Sequence, residues 1–287
     1  MNASAVPAPA RVTLGDLQVN RLGFGTMRLV DHTGSWPRDV DAAIAVLRGA
    51  AEAGVTFFDT ADIYGLGVAE ELLAKALAPY DGLVIATKGG FVGDFSKGIP
   101  LPADGRPEAL RTACEGSLRR LDVERIDLYQ LHTPDPTVPI EESIGALAEL
   151  QREGKIRHIG VSNVGCRHLK AIEGIADVVS VQNRYGVGDR TAAGVLSWCT
   201  ERGIAFIPWS PLNSSVAVRD VVTRVAADAE ITAQQAALAW LLAQSPCMLP
   251  IPGTSSLQHL NENLGASGIQ LTDEQIARLD AARTAAM

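Results

Sequence analysis

The chain has 287 residues, 47% of them hydrophobic and 20% charged, and a formal net charge of -8. That fits an ordinary globular protein with one large core or two modest ones. Its basic residues are scattered rather than gathered into a patch, which argues against a nucleic-acid partner. Cys114, Cys166, Cys199 and Cys247 lie far apart with no CxxC pair. They read as buried thiols of a reducing compartment, not as disulfides or zinc ligands.

Residues 1–10, rich in Ala and Pro, read as a flexible N-terminal tail without the charged lead and apolar run of a secretory signal. A short hairpin follows: Arg11-Val-Thr-Leu14, a Gly15-Asp16 turn, then Leu17-Gln-Val19. Two patterns then alternate. Short apolar runs bounded by Gly, Pro or charge occur at Leu22 to Met27, Thr56 to Phe58, Leu83 to Ala86, Ile126 to Leu131, Ile156 to Val161, Val178 to Val181, Ile204 to Trp209 and Met248 to Ile251. Such runs suit strands buried on both faces, as in a parallel sheet. Between them lie stripes of helical period: Ile44-Leu47-Ala51, Leu110-Cys114-Ser117-Leu121, Ile140-Ile144-Leu147-Leu150 and Leu238-Leu241-Leu242. Gly54, Gly154 and Gly203 stand where left-handed helix caps are expected. A final helix is expected over Thr272–Ala285, opened by a Thr272–Gln275 capping box with Ile276 and Leu279 facing inward. The longest apolar helical run, Ala236 to Ala243, is too short to cross a bilayer, and a cytoplasmic location is expected.

Strand–helix alternation implies parallel pairing with right-handed crossovers. Eight repeats within about 250 residues is the size of a closed (β/α)8 TIM barrel. It would carry an N-terminal β-hairpin and an extra C-terminal helix, with an open doubly wound sheet as the rival. No linker or compositional break divides residues 11–287, so a single domain is expected.

The apolar runs end in Asp59, Lys88, His132, Ser162-Asn163, Gln182-Asn183, Trp209-Ser210 and Thr254. In a barrel these ends share the face where catalytic residues sit. One polar strand end often merely caps the next helix; seven in succession are harder to assign to capping. Asp59, Lys88 and His132 fall on three neighbouring strands, and Tyr64 follows Asp59 in the loop. Three adjacent strand ends span only about 10 Å, so the four side chains can converge. The chemistry that suits them is proton donation to a carbonyl oxygen. A tyrosine of ordinary pKa about 10 is a sluggish acid, and a neighbouring ammonium favours its phenolate. Asp59 would pair with Lys88, and a neutral His132 would orient a substrate oxygen. The structural alternative is an Asp–Lys pair with an unrelated Tyr and His.

At this point the sequence resembles the aldo-keto reductase superfamily. The resemblance rests on Gly23-Phe-Gly-Thr-Met-Arg28, Phe57-Phe-Asp-Thr-Ala-Asp-Ile-Tyr-Gly65, Ala86-Thr-Lys88, Asp127-Leu-Tyr-Gln-Leu-His132, Gly154 to Asn163, Pro208-Trp-Ser-Pro-Leu212 and Ile251-Pro-Gly-Thr254. These segments keep the family's order from about Val12 to the last helix. The resemblance implies a (β/α)8 barrel that binds NAD(P)H across its C-terminal face and reduces aldehydes or ketones by direct hydride transfer. It implies a catalytic tetrad of Asp59, Tyr64, Lys88 and His132. It also implies carboxamide contacts from Ser162, Asn163 and Gln182, and Trp209 stacked on the nicotinamide. Gly25, Thr26 and Met27 match the first cofactor strand, and Ser210, Leu212 and Ser214 match the pyrophosphate segment. Gly23-Phe-Gly-Thr-Met lacks the third glycine and opens no helix, so it is not a Rossmann fingerprint.

The match thins after the last strand. Gly253 to Asn263 contains no Lys or Arg, and His259 occupies the usual arginine position. Gly253, Thr254, Ser255 and His259 are expected near the adenosine phosphate, Glu262 and Asn263 near adenine. NADPH is the expected cofactor, with NADH or dual use as the alternative. Trp36, Phe91 and Phe95 are candidate pocket residues, and Gly89–Arg106 is a candidate loop over the site. No His or Cys spacing suggests a metal. The expected partner is a small carbonyl compound, with neither nucleic acid nor membrane, for a monomer or weak oligomer. The alternative function is a nicotinamide-binding sensor or regulatory subunit with little catalysis, which the intact tetrad disfavours. A metal-assisted hydrolase would need a ligand cluster.

Overall fold

The computed structural model describes residues 11–31, 36–37, 39–93, 101–210 and 215–282. Strands β1 (Arg11–Leu14) and β2 (Leu17–Asn20) form the antiparallel hairpin. Strands β3 (Phe24–Gly25), β4 (Phe57–Asp59), β5 (Val84–Gly89), β6 (Ile126–Leu131), β7 (Ile156–Ser162), β8 (Val178–Arg184) and β9 (Ala205–Trp209) pair in parallel in chain order. The eighth run closes the ring. Phe206 N–H donates to Cys247 O and Leu249 N–H to Phe206 O, while Gly23 N–H on the far side donates to Pro250 O. Pro250 and Pro252 supply no N–H, so this run carries only a partial ladder. The result is the (β/α)8 architecture.

The strand drawn from Leu22 to Met27 is shorter than expected. It ends at Gly25, and Thr26–Leu29 winds into a 3-10 turn. The closing run causes the crowding: a Cβ on Gly25 would stand 2.8 Å from Ile251 O, and one on Gly253 only 2.3 Å from Gly25 O. Two backbones approach here as only glycines allow.

Helices cover the barrel: α1 (Val40–Glu52), α2 (Val68–Leu77), α3 (Pro107–Leu121), α4 (Ile140–Arg152), α5 (Cys166–Ile172), α6 (Ala193–Arg202), α7 (Val216–Asp228), α8 (Ala233–Gln244) and α9 (Leu257–Gly265). Helix α10 (Asp273–Ala281) carries the expected Thr272–Gln275 capping box and buries Leu279; the expected end beyond residue 282 lies outside the described residues. Gly54, Gly154 and Gly203 all take positive φ, as their cap positions require. Among the described residues no helix is long and apolar enough to cross a membrane, and no group of three or more His, Cys, Asp or Glu side chains could hold a metal ion. Cys114, Cys199 and Cys247 are buried as free thiols and Cys166 is half-buried; burial pushes the Cys114 thiol up to about 12.

Period-2 alternation sorts the strand side chains into two cores. Outward residues such as Phe58, Tyr129, Val181 and Phe206 pack under the helices. Inward residues Phe57, Val84, Leu128, Ala205, Ile207 and Leu249 pack on Val12, Leu14 and Val19, so the hairpin plugs the lower end of the barrel. Arg157 and His158 of β7 both engage the Asp16 carboxylate in the hairpin turn, which holds that carboxyl well below its usual range. Because the plug fills the interior, Leu14→Ala should cost about 2–5 kcal/mol in urea unfolding. A loss below about 1 kcal/mol would show that the hairpin is dispensable.

Candidate active site

The same alternation lifts one side chain per strand to the upper rim. Asp59 follows Phe57 at two residues' distance, and Lys88 follows Ala86. His132 continues β6 through its N–H bond to Gly89 O, and Ser162 and Gln182 sit side by side in register on β7 and β8. Lys88 has no exposed surface, and Asp59 is 1% exposed. Lys88 Nζ donates to Asp59 Oδ1 at 2.6 Å, to Thr60 O at 2.7 Å and to Tyr64 Oη at 3.4 Å. All three ammonium protons thus have acceptors, which a buried charge requires.

The Tyr64 turn is strained into place. Gly65, Leu66 and Gly67 take φ of 58°, 54° and 99° in succession. A Cβ on Gly65 would crowd Val30, and one on Gly67 would strike Arg120. The turn folds Tyr64 back over the end of β5, its ring edge-on to His132 at 6.0 Å. Phe91 makes a second edge contact with His132, at 4.7 Å.

Burial raises the pKa of Tyr64 and outweighs the lowering effect of Lys88; Asp59 adds to the rise. Lys88 favours the phenolate as expected, but burial outweighs it, and the phenol is protonated at neutral pH. Burial opposes the Lys88 ammonium, yet Asp59 and Tyr64 together hold its pKa above the ordinary value. His132 is kept neutral, first by burial and then by repulsion from Lys88; its Nδ1 is buried without a partner among the described residues.

Around this centre, Gln182 Nε2 donates to Asp59 Oδ2 at 2.8 Å. Asn163 bridges His132 O at 2.9 Å and Trp209 Nε1 at 3.2 Å, from a left-handed backbone with φ of 58°. Ser210 is left-handed too, with φ of 48°. Ser162 and Thr26 are buried, and Met27 is exposed on the 3-10 turn. Thr254 accepts from Ser256 N–H, and Ser256 caps α9, on which His259 is exposed and Glu262 half-buried. Ser255 is exposed beside the cap. Asn263 is buried, and among the described residues neither end of its amide is paired. Trp36 is 39% exposed, with the Lys75 ammonium 5.5 Å from its ring centroid. Phe95, Leu212 and Ser214 lie outside the described residues. The ends of the loop after β5 are pinned together: Val92 N–H donates to Pro102 O and Asp104 N–H to Gly90 O.

Several participants were not named from the sequence. Gln130 Nε2 donates to the Asp59 Oδ2 at 3.1 Å. Its signal was available, since it stands two residues before His132 and shares its face of β6. Behind β5, Thr87 donates to Glu70, which also pairs with Arg120. Asp62, whose N–H donates to Lys88 O, lies near this cluster. Burial and the Glu70 charge push its carboxyl up to about 7, against Arg120 and Lys88.

The chain matches the aldo/keto reductase family over residues 21–284 and belongs to it. It is 46% identical over 285 residues to an uncharacterised oxidoreductase of Schizosaccharomyces pombe, covering 97% of this chain and 92% of the relative. It is 39% identical over 279 residues to the pyridoxine 4-dehydrogenase of Escherichia coli, covering 93% and 96%. A crystal structure of an aldo/keto reductase from Klebsiella pneumoniae, solved with NADP and acetate, superimposes with a TM-score of 0.82 at 29% identity, covering 95% of each chain.

Asp62 supplies a pH test of the site's burial. In an unfolded chain its carboxyl ionises near 4, whereas the folded value is about 7. Its raised value means the folded state holds the proton longer, so stability falls as pH rises through that window. Asp62→Asn should gain on the parent between about pH 4 and 7, by up to about 1.4 kcal/mol per pH unit. Parallel stability curves for the two proteins would contradict the raised carboxyl.

Proposed function

We propose that this protein is an NADPH-dependent carbonyl reductase, in which Tyr64 is the proton donor, Lys88 and Asp59 set its electrostatics, and His132 orients the substrate oxygen. The observation that carries the reading is the buried contact of one ammonium with Asp59 Oδ1 at 2.6 Å and Tyr64 Oη at 3.4 Å, beside a neutral histidine.

The residues fit a nicotinamide dinucleotide. Asn263 offers a buried, unpaired amide for adenine, and Thr26 a buried, unpaired hydroxyl near the first strand end. Ser162, Asn163 and Gln182 would hold the carboxamide, Trp209 would stack on the ring, and Gly25, Met27 and Ser210 would line the path. Gly253, Thr254, Ser255 and His259 would hold the adenosine phosphate against the capped N-terminus of α9, with Glu262 beside adenine. The NADP-bound Klebsiella relative supports NADPH over NADH. A reduced nicotinamide held by these residues would supply the hydride that the carbonyl carbon takes up.

The chain's own residues then manage the oxygen. The neutral His132 fixes its position, and Phe91, packed edge-on to that ring, helps exclude water. Tyr64, protonated at neutral pH, gives its proton to the developing alkoxide. Lys88 stabilises the phenolate left behind, and Asp59 keeps Lys88 in place. An aldehyde or ketone is the substrate class, and the dehydrogenase name of the E. coli relative supports operation on an alcohol–carbonyl pair.

Tyr64→Phe deletes the proton and little else. Reduction of a simple aromatic aldehyde should fall by about 100-fold or more, while NADPH affinity, read by fluorescence titration, stays within about twofold of the parent (far less than one tenfold step). Undiminished turnover would remove Tyr64 from the mechanism.

A further inference from the structure

The Asp59 carboxylate is held from both sides. Oδ1 accepts from Lys88, while Oδ2 accepts from two buried amides, Gln182 at 2.8 Å and Gln130 at 3.1 Å. Gln130 has no exposed surface, and among the described residues nothing pairs with its Oε1. The barrel makes room for it. A Cβ on Gly160 of β7 would stand 2.8 Å from Gln130 Cγ and 2.3 Å from Ser180 Oγ, so any other residue there would displace the amide. Burying a polar side chain with one end unpaired is costly, and among the described residues the Gln130 amide hydrogen-bonds to Asp59.

The two amides differ in what else they do. Gln182 sits in register with Ser162 at the rim, where the proposed reading has it hold the nicotinamide carboxamide. Gln130 lies one layer deeper, two residues below His132, beside Gly160. It therefore has no comparable second duty.

We propose that Gln130 is a positioning residue for the reduction: its amide N–H fixes Asp59 Oδ2 so that Oδ1 stays on Lys88, and Lys88 stays beside Tyr64, whatever Gln182 binds. This rests on the carbonyl-reductase reading above. Gln130 touches neither the reacting atoms nor the cofactor path. It acts through Asp59.

Two variants test it. Gln130→Met keeps the length and loses the donor; Gln130→Glu restores a donor only while its own carboxyl is protonated. Two carboxylates at this distance cannot both ionise easily, so the added Glu holds its proton into the neutral range. Its ionisation then sets a second negative charge against Asp59 and, through it, against Tyr64. The other charged groups facing Tyr64 are Lys88, Asp59 and Asp62, with the neutral His132 beside them. All are present in parent and variants, so a loss that grows with pH in Gln130→Glu but not in Gln130→Met marks the added carboxyl.

With NADPH and a simple aldehyde, Gln130→Met should lower kcat about 2- to 10-fold, the value of one hydrogen bond. The ratio to the parent should not change with pH, and the NADPH Kd should stay within about twofold, well short of one tenfold step. Gln130→Glu should match the parent near pH 6 and fall progressively behind it by pH 9. A parental kcat in Gln130→Met, a loss in Gln130→Glu that does not vary with pH, or a parallel rise in Kd would each overturn the proposal. An inactive parent would instead defeat the carbonyl-reductase reading. The melting-temperature deficit of Gln130→Glu, growing from pH 6 to 9 or constant, would still decide whether Gln130 donates to Asp59.

Discussion

An ammonium group with no access to water is costly to bury unless each of its protons meets an acceptor and its charge meets a counter-charge. Lys88 meets both conditions through Asp59, the Thr60 carbonyl and Tyr64. Much of the upper barrel serves that arrangement. Asp59 needs its second oxygen occupied, which brings in Gln182 and Gln130. Tyr64 must fold back over β5, which requires three consecutive left-handed residues and glycines that tolerate Val30 and Arg120. Thr87, next to Lys88 but pointing the other way, is tied through Glu70 to Arg120 on α3. The strand carrying the lysine is thus anchored on both faces.

The balance of effects at Tyr64 shapes the proposed chemistry. If the nearby ammonium dominated, the phenol would lie part-ionised and lack the proton that a reduction consumes. Burial wins instead, so the proton is retained, and the ammonium matters most after transfer, when a phenolate must be tolerated in a dry site. The same burial keeps His132 uncharged, which spares the site a second cation beside Lys88. Burial thus sets the protonation states of Tyr64 and His132, while Asp59 and Tyr64 keep Lys88 charged against it.

Much of this was legible in the sequence, for a definite reason. Parallel strands in a barrel bring their ends to one face, so polar residues closing successive apolar runs, from Asp59 to Trp209, mark a rim without knowledge of loops or packing. What escaped was set by contacts between elements. Gln130 sits inside an apolar run and reads as part of the strand until its inward neighbours Leu128 and His132 are recognised as one column. The Thr87–Glu70–Arg120 network joins residues from a strand and two helices whose facing sides periodicity alone does not match. The apolar run Leu22 to Met27 was expected to be a strand throughout, and its pattern does not show what the glycines of Gly23-Phe-Gly25 do. Their role is to let Gly25 and Gly253 approach within backbone contact, after which the chain turns. At Tyr64, the sign of the ammonium's effect was right but its size relative to burial was not, since burial depth is a tertiary property.

The claim on which the mechanism stands is that the lysine–aspartate pair serves the phenol and is not simply a structural tie. Replacing both charges at once, Lys88→Met with Asp59→Asn, avoids leaving either buried and unpaired, so the chain should still fold. The measurement is single-turnover reduction of an aldehyde by the folded double variant with Tyr64 intact. The account predicts a loss of about 100-fold or more. Turnover within about threefold of the parent, smaller than any general acid–base contribution, would show that Tyr64 works without the ammonium, and would contradict it.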